Sequence, residues 1–283
     1  MGANRSVAAV GLAVAIGLSS VSLASAEMGA VGRHGKEHAG PEHAQRKGER
    51  EQHREIHWSY AEKELGKPEN WGKIKGEFAA CRSGKYQSPI NIKLAEKADL
   101  DDLHMRYKST PLKILNNGHT VQVNYQDGST MRVGEKVYNL LQFHFHTPSE
   151  NHIDGEQFDM ELHFVHKSNE GDLGVLGVMI KEGRHNAEAE KIWSRMPMQQ
   201  QDEVTYGDVM INGAALLPAS KVYYRFMGSL TTPPCTEGVN WHVLKQPIEF
   251  SRAQIDKFRQ AFPVNARPVQ EANSRIVILE TEK

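Results

Sequence analysis

Residues 142–166 read QFHFHTPSENHIDGEQFDMELHFVH, and the alternation inside this stretch decides both the fold class and the chemistry. Side chains on a β-strand alternate between faces, so His144 and His146 project from one side while Phe143 and Phe145 project from the other. The alternation returns at Glu161-Leu162-His163-Phe164-Val165, which offers a further imidazole, His163, with Leu162 and Phe164 turned away. Three neutral imidazoles on adjacent strands would leave the fourth position of a tetrahedral metal open, as a catalytic zinc site requires. Gln142 and Glu161 each precede a candidate ligand by two residues, in phase with it. Either could accept the ring's second N–H and so fix its tautomer. His166 is out of phase with His163 and reads as structural.

The chain around this stretch patterns in the same way. Alternating or short apolar runs at 112–115, 119–125, 130–133, 139–146, 158–166, 173–181, 222–230 and 240–244 predict strands. Asn117-Gly118 and Asp127-Gly128 are turn signals between them. Helical patterns are short, at 186–196 and at 251–261, the latter opened by Ser251 as a cap. The fold class is therefore mixed α/β but predominantly β, with a large, mainly antiparallel sheet and short helices at its surface. Periodicity leaves a sandwich, a barrel and an open twisted sheet as alternatives.

Residues 1–26 combine a charged start, an apolar run and a small-residue ending, Ala24-Ser25-Ala26, which is the pattern of a cleaved export signal. The run is shorter than the ~20 residues a membrane span needs. A periplasmic or secreted location, with no membrane span in the mature chain, is the expectation. Residues 27–56 are polar and charged and carry His34, His38, His43 and His53. They bury too little apolar surface to offset chain entropy and read as a flexible tail, whose histidines also allow metal collection. Residues 57–283 remain as one domain, long enough for a sizeable core. A net charge of −1 gives no argument for nucleic acid or an anionic membrane as a partner. Cys81 and Cys235 are the only cysteines, and an even number in an exported chain favours a disulfide, with two buried thiols as the alternative.

The histidine stretch, together with GSLTTPPCTEGVNW at 228–241, resembles the α-class carbonic anhydrases. So do His57-Trp58-Ser59-Tyr60, Gln87-Ser88-Pro89-Ile90-Asn91-Ile92 and Leu115-Asn116-Asn117-Gly118-His119. The paired cysteines and the short 146–150 loop resemble the bacterial, exported branch. The resemblance implies a large twisted sheet with Zn2+ at the base of a cone-shaped cleft, held by His144, His146 and His163. It implies reversible hydration of carbon dioxide to bicarbonate through zinc-bound hydroxide, with sensitivity to sulfonamides and anions.

Further roles come from the resemblance alone. Thr231 would accept the proton of the zinc-bound hydroxide, and Glu150 would accept the threonine's own proton. Val165, Val175, Leu230, Val239 and Trp241 would form an apolar pocket for the gas, with Thr232 beside the zinc solvent. His119 stands at the proton-shuttle position, where an imidazole that titrates near neutral pH is suited to the task. Tyr60, Asn117 and Gln122 would order the connecting waters, although the family more often has Asn where Gln122 stands. Cis peptide bonds are implied at Ser88-Pro89 and Pro233-Pro234. A Cys81–Cys235 bond would tether the catalytic loop. The turnover rate, the direction of the reaction in the cell and monomer versus homodimer are left open by the sequence.

Overall fold

A computed structural model of the chain describes residues 56–61 and 65–281, so the signal and most of the tail assigned from sequence lie outside the described residues. In chain order the helices are α1 (Trp71–Ile74), α2 (Ala80–Ser83), α3 (Ala187–Trp193) and α4 (Arg252–Ala261). The first strands are β1 (Asn91–Ile92), β2 (Glu96–Ala98), β3 (Leu103–Arg106), β4 (Thr110–Asn116), β5 (Val121–Asn124), β6 (Thr130–Val133) and β7 (Lys136–His146). They continue with β8 (His152–Ile153), β9 (Met160–Ser168), β10 (Leu173–Glu182), β11 (Gln201–Ile211), β12 (Tyr223–Ser229), β13 (Glu237–Phe250) and β14 (Ile278–Glu280).

Twelve strands make one sheet in the order β11-β4-β5-β7-β9-β10-β13-β12-β14-β2, with β6 branching from β7 and β3 pairing β6. Its pairs are antiparallel except β10 with β13 and β14 with β2, and a separate two-stranded pair, β1 with β8, is also parallel. The mainly antiparallel sheet expected from sequence is therefore present, and it is open rather than closed on itself. The centre follows from side-chain chemistry. β10 is apolar on both faces, and its residues from Gly174 to Ile180 are buried, as a strand covered on both sides requires.

Alternation divides the apolar residues between two cores. On the back of the sheet Phe143, Phe145, Leu162, Phe164, Leu176 and Val178 pack with Trp193 of α3 and Phe258 of α4. On the front Val175, Met179, Phe226, Val239, Trp241 and Val243 form a second cluster with Ile90 and Ile92. The two longer helices are capped as the sequence indicates. Asn186 accepts from the N–H groups of Glu188 and Ala189 at the start of α3, and Ser251 and Gln254 form a reciprocal capping box on α4. A third cluster gathers Trp71, Cys81 and Cys235, and the Cys81–Cys235 disulfide is formed across a sequence separation of 154. Ser88-Pro89 and Pro233-Pro234 are cis, as is Thr147-Pro148, which the sequence did not suggest.

Both His166 and His242 are fully buried. His166 Nε2 shares a hydrogen bond with the Tyr107 hydroxyl at 2.8 Å. Burial pushes His166 down to about 4 and, with Arg225 and His166 adding to it, pushes His242 down to about 3. The unfolded chain, with ordinary imidazoles, binds more protons than the native state below about pH 6.5. Stability from these groups is thus full above that pH and is lost as pH falls towards the native values. His242→Phe is expected to lose on the order of 2 kcal/mol less stability than wild type between pH 7 and pH 5. Denaturant unfolding at the two pH values measures it; equal losses would contradict the account.

Candidate metal centre

Register brings the histidines together. β7 and β9 pair antiparallel with His144 opposite His163 and His146 opposite Glu161. A bulge between Leu140 and Gln142 sets the phase of the terminal half of β7, so Gln142, His144 and His146 share the front face. One ring nitrogen from each of His144, His146 and His163 lies within 4.8 Å of the other two.

Each ring is held through its other nitrogen. His144 Nδ1 donates to Gln142 Oε1 at 2.8 Å, and His146 Nδ1 donates to the Asn265 carbonyl at 2.7 Å. His163 Nε2 lies 2.9 Å from Glu161 Oε1, close in distance though poorly aligned. These contacts leave His144 Nε2, His146 Nε2 and His163 Nδ1 free to ligate a metal. His146 Nε2 is buried with no hydrogen-bond partner, an orphan that a cation would satisfy. Burial, reinforced by the imidazoles of His146 and His163, holds His144 well below its ordinary pKa, and burial lowers His146 as well. Neutral imidazole is the ligating form, so the donor set fits zinc.

Two carboxylates behave differently beneath the histidines. Burial alone would raise Glu161, but His163 and the donors from Asn151 outweigh it and hold the carboxyl below its usual range. Burial pushes Glu150 up to about 7, against the opposing pull of His163, the Arg267 N–H and the Thr231 hydroxyl. Glu150 Oε2 lies 3.5 Å from His146 Nε2, and Oε1 accepts from the Arg267 N–H at 2.8 Å. Thr231 is 6% exposed, in the loop between β12 and β13, where the Leu230 N–H bonds to the Thr236 carbonyl.

Val175, Val239 and Trp241 are buried in the front cluster, with Val165 and Leu230 packed against it. Thr232 is half-buried, and its carbonyl accepts from the Cys235 N–H. His119 stacks on Trp58 with ring centroids 3.6 Å apart, and Tyr60 meets it edge-on. Asn117 Oδ1 accepts from the N–H groups of His119 and Thr120, which shapes the loop. Gln122 turns its amide to Asn124, which donates in turn to Glu203. A surface cavity of about 510 Å3 beside Lys93 and Ile276 shares no residue with this centre.

Asn265 and Arg267 were not singled out from sequence. The Arg267 guanidinium is buried and donates to Gln87 Oε1, the Ser88 carbonyl and the Cys81 carbonyl, while its face covers Trp71. Neither residue belongs to a periodic segment.

A family model described as eukaryotic-type carbonic anhydrase matches residues 66–281. A carbonic anhydrase of Nostoc sp. is 45% identical over 230 residues, covering 79% of this chain and 86% of its own. One from Neisseria gonorrhoeae is 45% identical over 229 residues, covering 79% of this chain and 88% of its own. The solved complex of the α-carbonic anhydrase from Thermovibrio ammonificans with the inhibitor sulfanilamide matches with a TM-score of 0.76 at 42% identity. That match covers 79% of this chain and 99% of the other. The large mixed sheet is shared with solved α-carbonic anhydrases, which sets the class as an α-carbonic-anhydrase lyase. The chain belongs to the eukaryotic-type carbonic anhydrase family and is a carbonic anhydrase.

Glu161→Gln would turn an amide NH2 towards groups that are themselves donors and remove the charge facing His163. Zinc affinity should fall about 10- to 100-fold, the usual loss when a partner behind a ligating histidine is removed. Competition with a chromophoric chelator measures it, and an unchanged affinity would refute the assignment.

Proposed function

We propose that the chain catalyses the reversible hydration of carbon dioxide to bicarbonate and a proton, with Zn2+ held by His144, His146 and His163. The observation that carries this reading is the convergence of three imidazole nitrogens whose rings are each fixed from behind. When bound, the zinc would acidify water enough to supply a hydroxide nucleophile near neutral pH.

The protein's own groups would aim that nucleophile. With Glu150 accepting the Thr231 hydroxyl proton, the threonine oxygen is left as an acceptor only. It can then take a hydrogen bond from the reacting solvent and orient its lone pair towards the substrate. The buried, Arg267-supported position of Glu150 favours this use of Thr231. Carbon dioxide is apolar, and a wall of Val165, Val175, Leu230, Val239 and Trp241 would hold it without competing water. Thr232 would contribute a polar contact beside that wall.

His119 would carry the product proton towards buffer. Asn117 and Tyr60 would order the intervening water, together with Gln122 so far as its bond to Asn124 permits. Desolvation, then the like charge of His57, push His119 down to about 4 in this arrangement, which favours release of a proton but makes the ring a weak acceptor of one at neutral pH. Sulfonamide inhibition is expected by analogy with the sulfanilamide complex of the Thermovibrio enzyme.

Export is the proposed destination. The apolar start of the chain and the Cys81–Cys235 bond both fit an oxidising compartment, and among the described residues no helix is long and apolar enough to cross a membrane. N-terminal sequencing of the exported protein should find a start after Ala26.

Two substitutions separate the chemical step from proton removal. Thr231→Ala should lower both kcat and kcat/KM for hydration by about 100-fold, as loss of an orienting group in the transition state does. His119→Ala should lower kcat in weak buffer and spare kcat/KM, with added imidazole restoring the rate. Stopped-flow hydration assays distinguish the patterns, and a His119→Ala enzyme as fast as wild type in weak buffer would remove the shuttle.

A further inference from the structure

Gln87 precedes Ser88-Pro89, and the proposed hydration step leaves it without a role. Its side chain is buried, and both ends of its amide are engaged. Oε1 accepts from Arg267 Nη1 at 2.9 Å, while Nε2 donates to the Cys235 carbonyl at 3.0 Å and to Glu237 Oε1 at 3.1 Å. A primary amide has two N–H donors to place, and burial makes an unplaced one costly. Here both are used. The partners lie 148 and 180 residues away along the chain, so the amide ties together parts of the fold that no local pattern connects.

These bonds complete a ring of contacts around the threonine loop. The Thr231 hydroxyl is hydrogen-bonded to Glu150, whose Oε1 accepts the Arg267 N–H at 2.8 Å. The Arg267 guanidinium reaches Gln87, and Gln87 reaches the Cys235 carbonyl. Cys235 leads back to the start, because its N–H bonds to the carbonyl of Thr232 at 2.8 Å, the residue next to Thr231. The backbone of Cys235 has a φ of 57°, a left-handed conformation that a residue with a Cβ adopts unwillingly. Its surroundings hold it there: the disulfide grips its side chain and Gln87 its carbonyl. Gly84 leaves the space for this. A Cβ at that position would come within 2.4 Å of both Gln87 Nε2 and Glu237 Oε1.

We propose that Gln87 is a positioning residue for the hydration step, fixing the threonine loop against Arg267 so that the Thr231 hydroxyl stays aimed at Glu150. Its hydrogen bonds go to Arg267, Cys235 and Glu237 and to none of the three candidate ligands, so it acts through the loop and not on the reacting atoms. The two groups it joins carry the two members of the orienting pair: the Arg267 backbone holds Glu150, and the 231–236 turn holds Thr231. The disulfide reaches Cys235 through rotatable side-chain bonds, whereas the amide grips the backbone that is continuous with Thr231. This role rests on Thr231 orienting the reacting solvent.

The test is a double-mutant cycle on the zinc-loaded enzyme, with Gln87→Met, Thr231→Ala and the Gln87→Met/Thr231→Ala double variant. Methionine keeps the length of the side chain and removes the amide. Gln87→Met should bind one zinc per chain, yet lower kcat/KM for hydration about tenfold, with kcat in strong buffer falling alongside it and added imidazole restoring neither. In the Thr231→Ala background the same substitution should cost less than about twofold, because the group it positions is gone. Gly84→Ala crowds the amide without removing it and should show the same pattern with a smaller loss. A Gln87→Met enzyme that turns over as wild type does would overturn the proposal. So would a loss, in either variant, that persists undiminished in the Thr231→Ala background, since a merely structural defect adds to any other. If Thr231→Ala itself is as fast as wild type, the orienting role of Thr231 fails and the positioning role with it.

Discussion

Glu161 is a carboxylate with no solvent exposure, and a buried ion of that kind costs several kcal/mol unless its oxygens are fully engaged. Its Oε2 accepts the N–H groups of Glu150 and Asn151 at 2.9 and 2.8 Å, and Oε1 accepts Asn151 Nδ2 at 2.8 Å. Those bonds draw the 147–151 loop back under β9. Oε1, which takes Asn151 Nδ2, also faces His163, so one charge fixes the His163 ring and a loop together. The neighbouring strand leaves room for it. A Cβ on Gly177 would lie 3.0 Å from Glu161 Oε1, which makes a side chain there a direct competitor for the carboxylate's place. Glu150 reaches the threonine loop because Glu161 anchors the backbone on which it sits.

The period of the strands also separates stability from chemistry. Phe143, Phe145, Leu162 and Phe164 fill the back core and intervene, residue by residue, between the groups that face the metal position. Those aromatics are buried on the back, and on the front His144 stands half-buried while His146 and His163 are buried. A separate layer under Trp71 is closed by the disulfide and by Arg267, whose guanidinium donates to the Cys81 carbonyl while its backbone supports Glu150. Burial draws that guanidinium down only to about 10, with Glu150 and Tyr60 opposing the shift, so it stays charged.

What was readable in the sequence follows from how local each feature is. The histidine phase, the partners Gln142 and Glu161 and the cap at Ser251 depend on neighbours within a few positions, and each is found where alternation or helical spacing put it. β11 was missed because it is an edge strand, mostly exposed, joined to β4 with two irregularities, and so carries little apolar alternation. Asn265 was missed for a different reason. It acts through its backbone carbonyl on His146, 119 residues away, and a carbonyl has no residue signature. The same holds for the Arg267 N–H on Glu150. Strand length was also underread at β13, where Pro247 interrupts a pattern that the structure nevertheless continues to Phe250.

The order of the strands sorts the two products of the proposed reaction. The candidate ligands stand on the adjacent strands β7 and β9. On one flank, β5 carries Gln122 opposite His144, and the loop before it carries Asn117 and His119, a polar and hydrogen-bonding margin. On the other flank, β10 and β13 carry Val175 opposite Trp241, with Val239 nearby, a margin of buried hydrocarbon. A gas without charge or dipole is favoured on the second margin and a proton on the first. The sequence of pairings β5-β7-β9-β10-β13 would therefore keep substrate and proton on opposite sides of the ligand set. A cleft with mixed walls would let water into the apolar side, where it competes with carbon dioxide, and would interrupt the water path on the polar one. Segregation by strand order meets both requirements with side chains that each strand already projects from its front face.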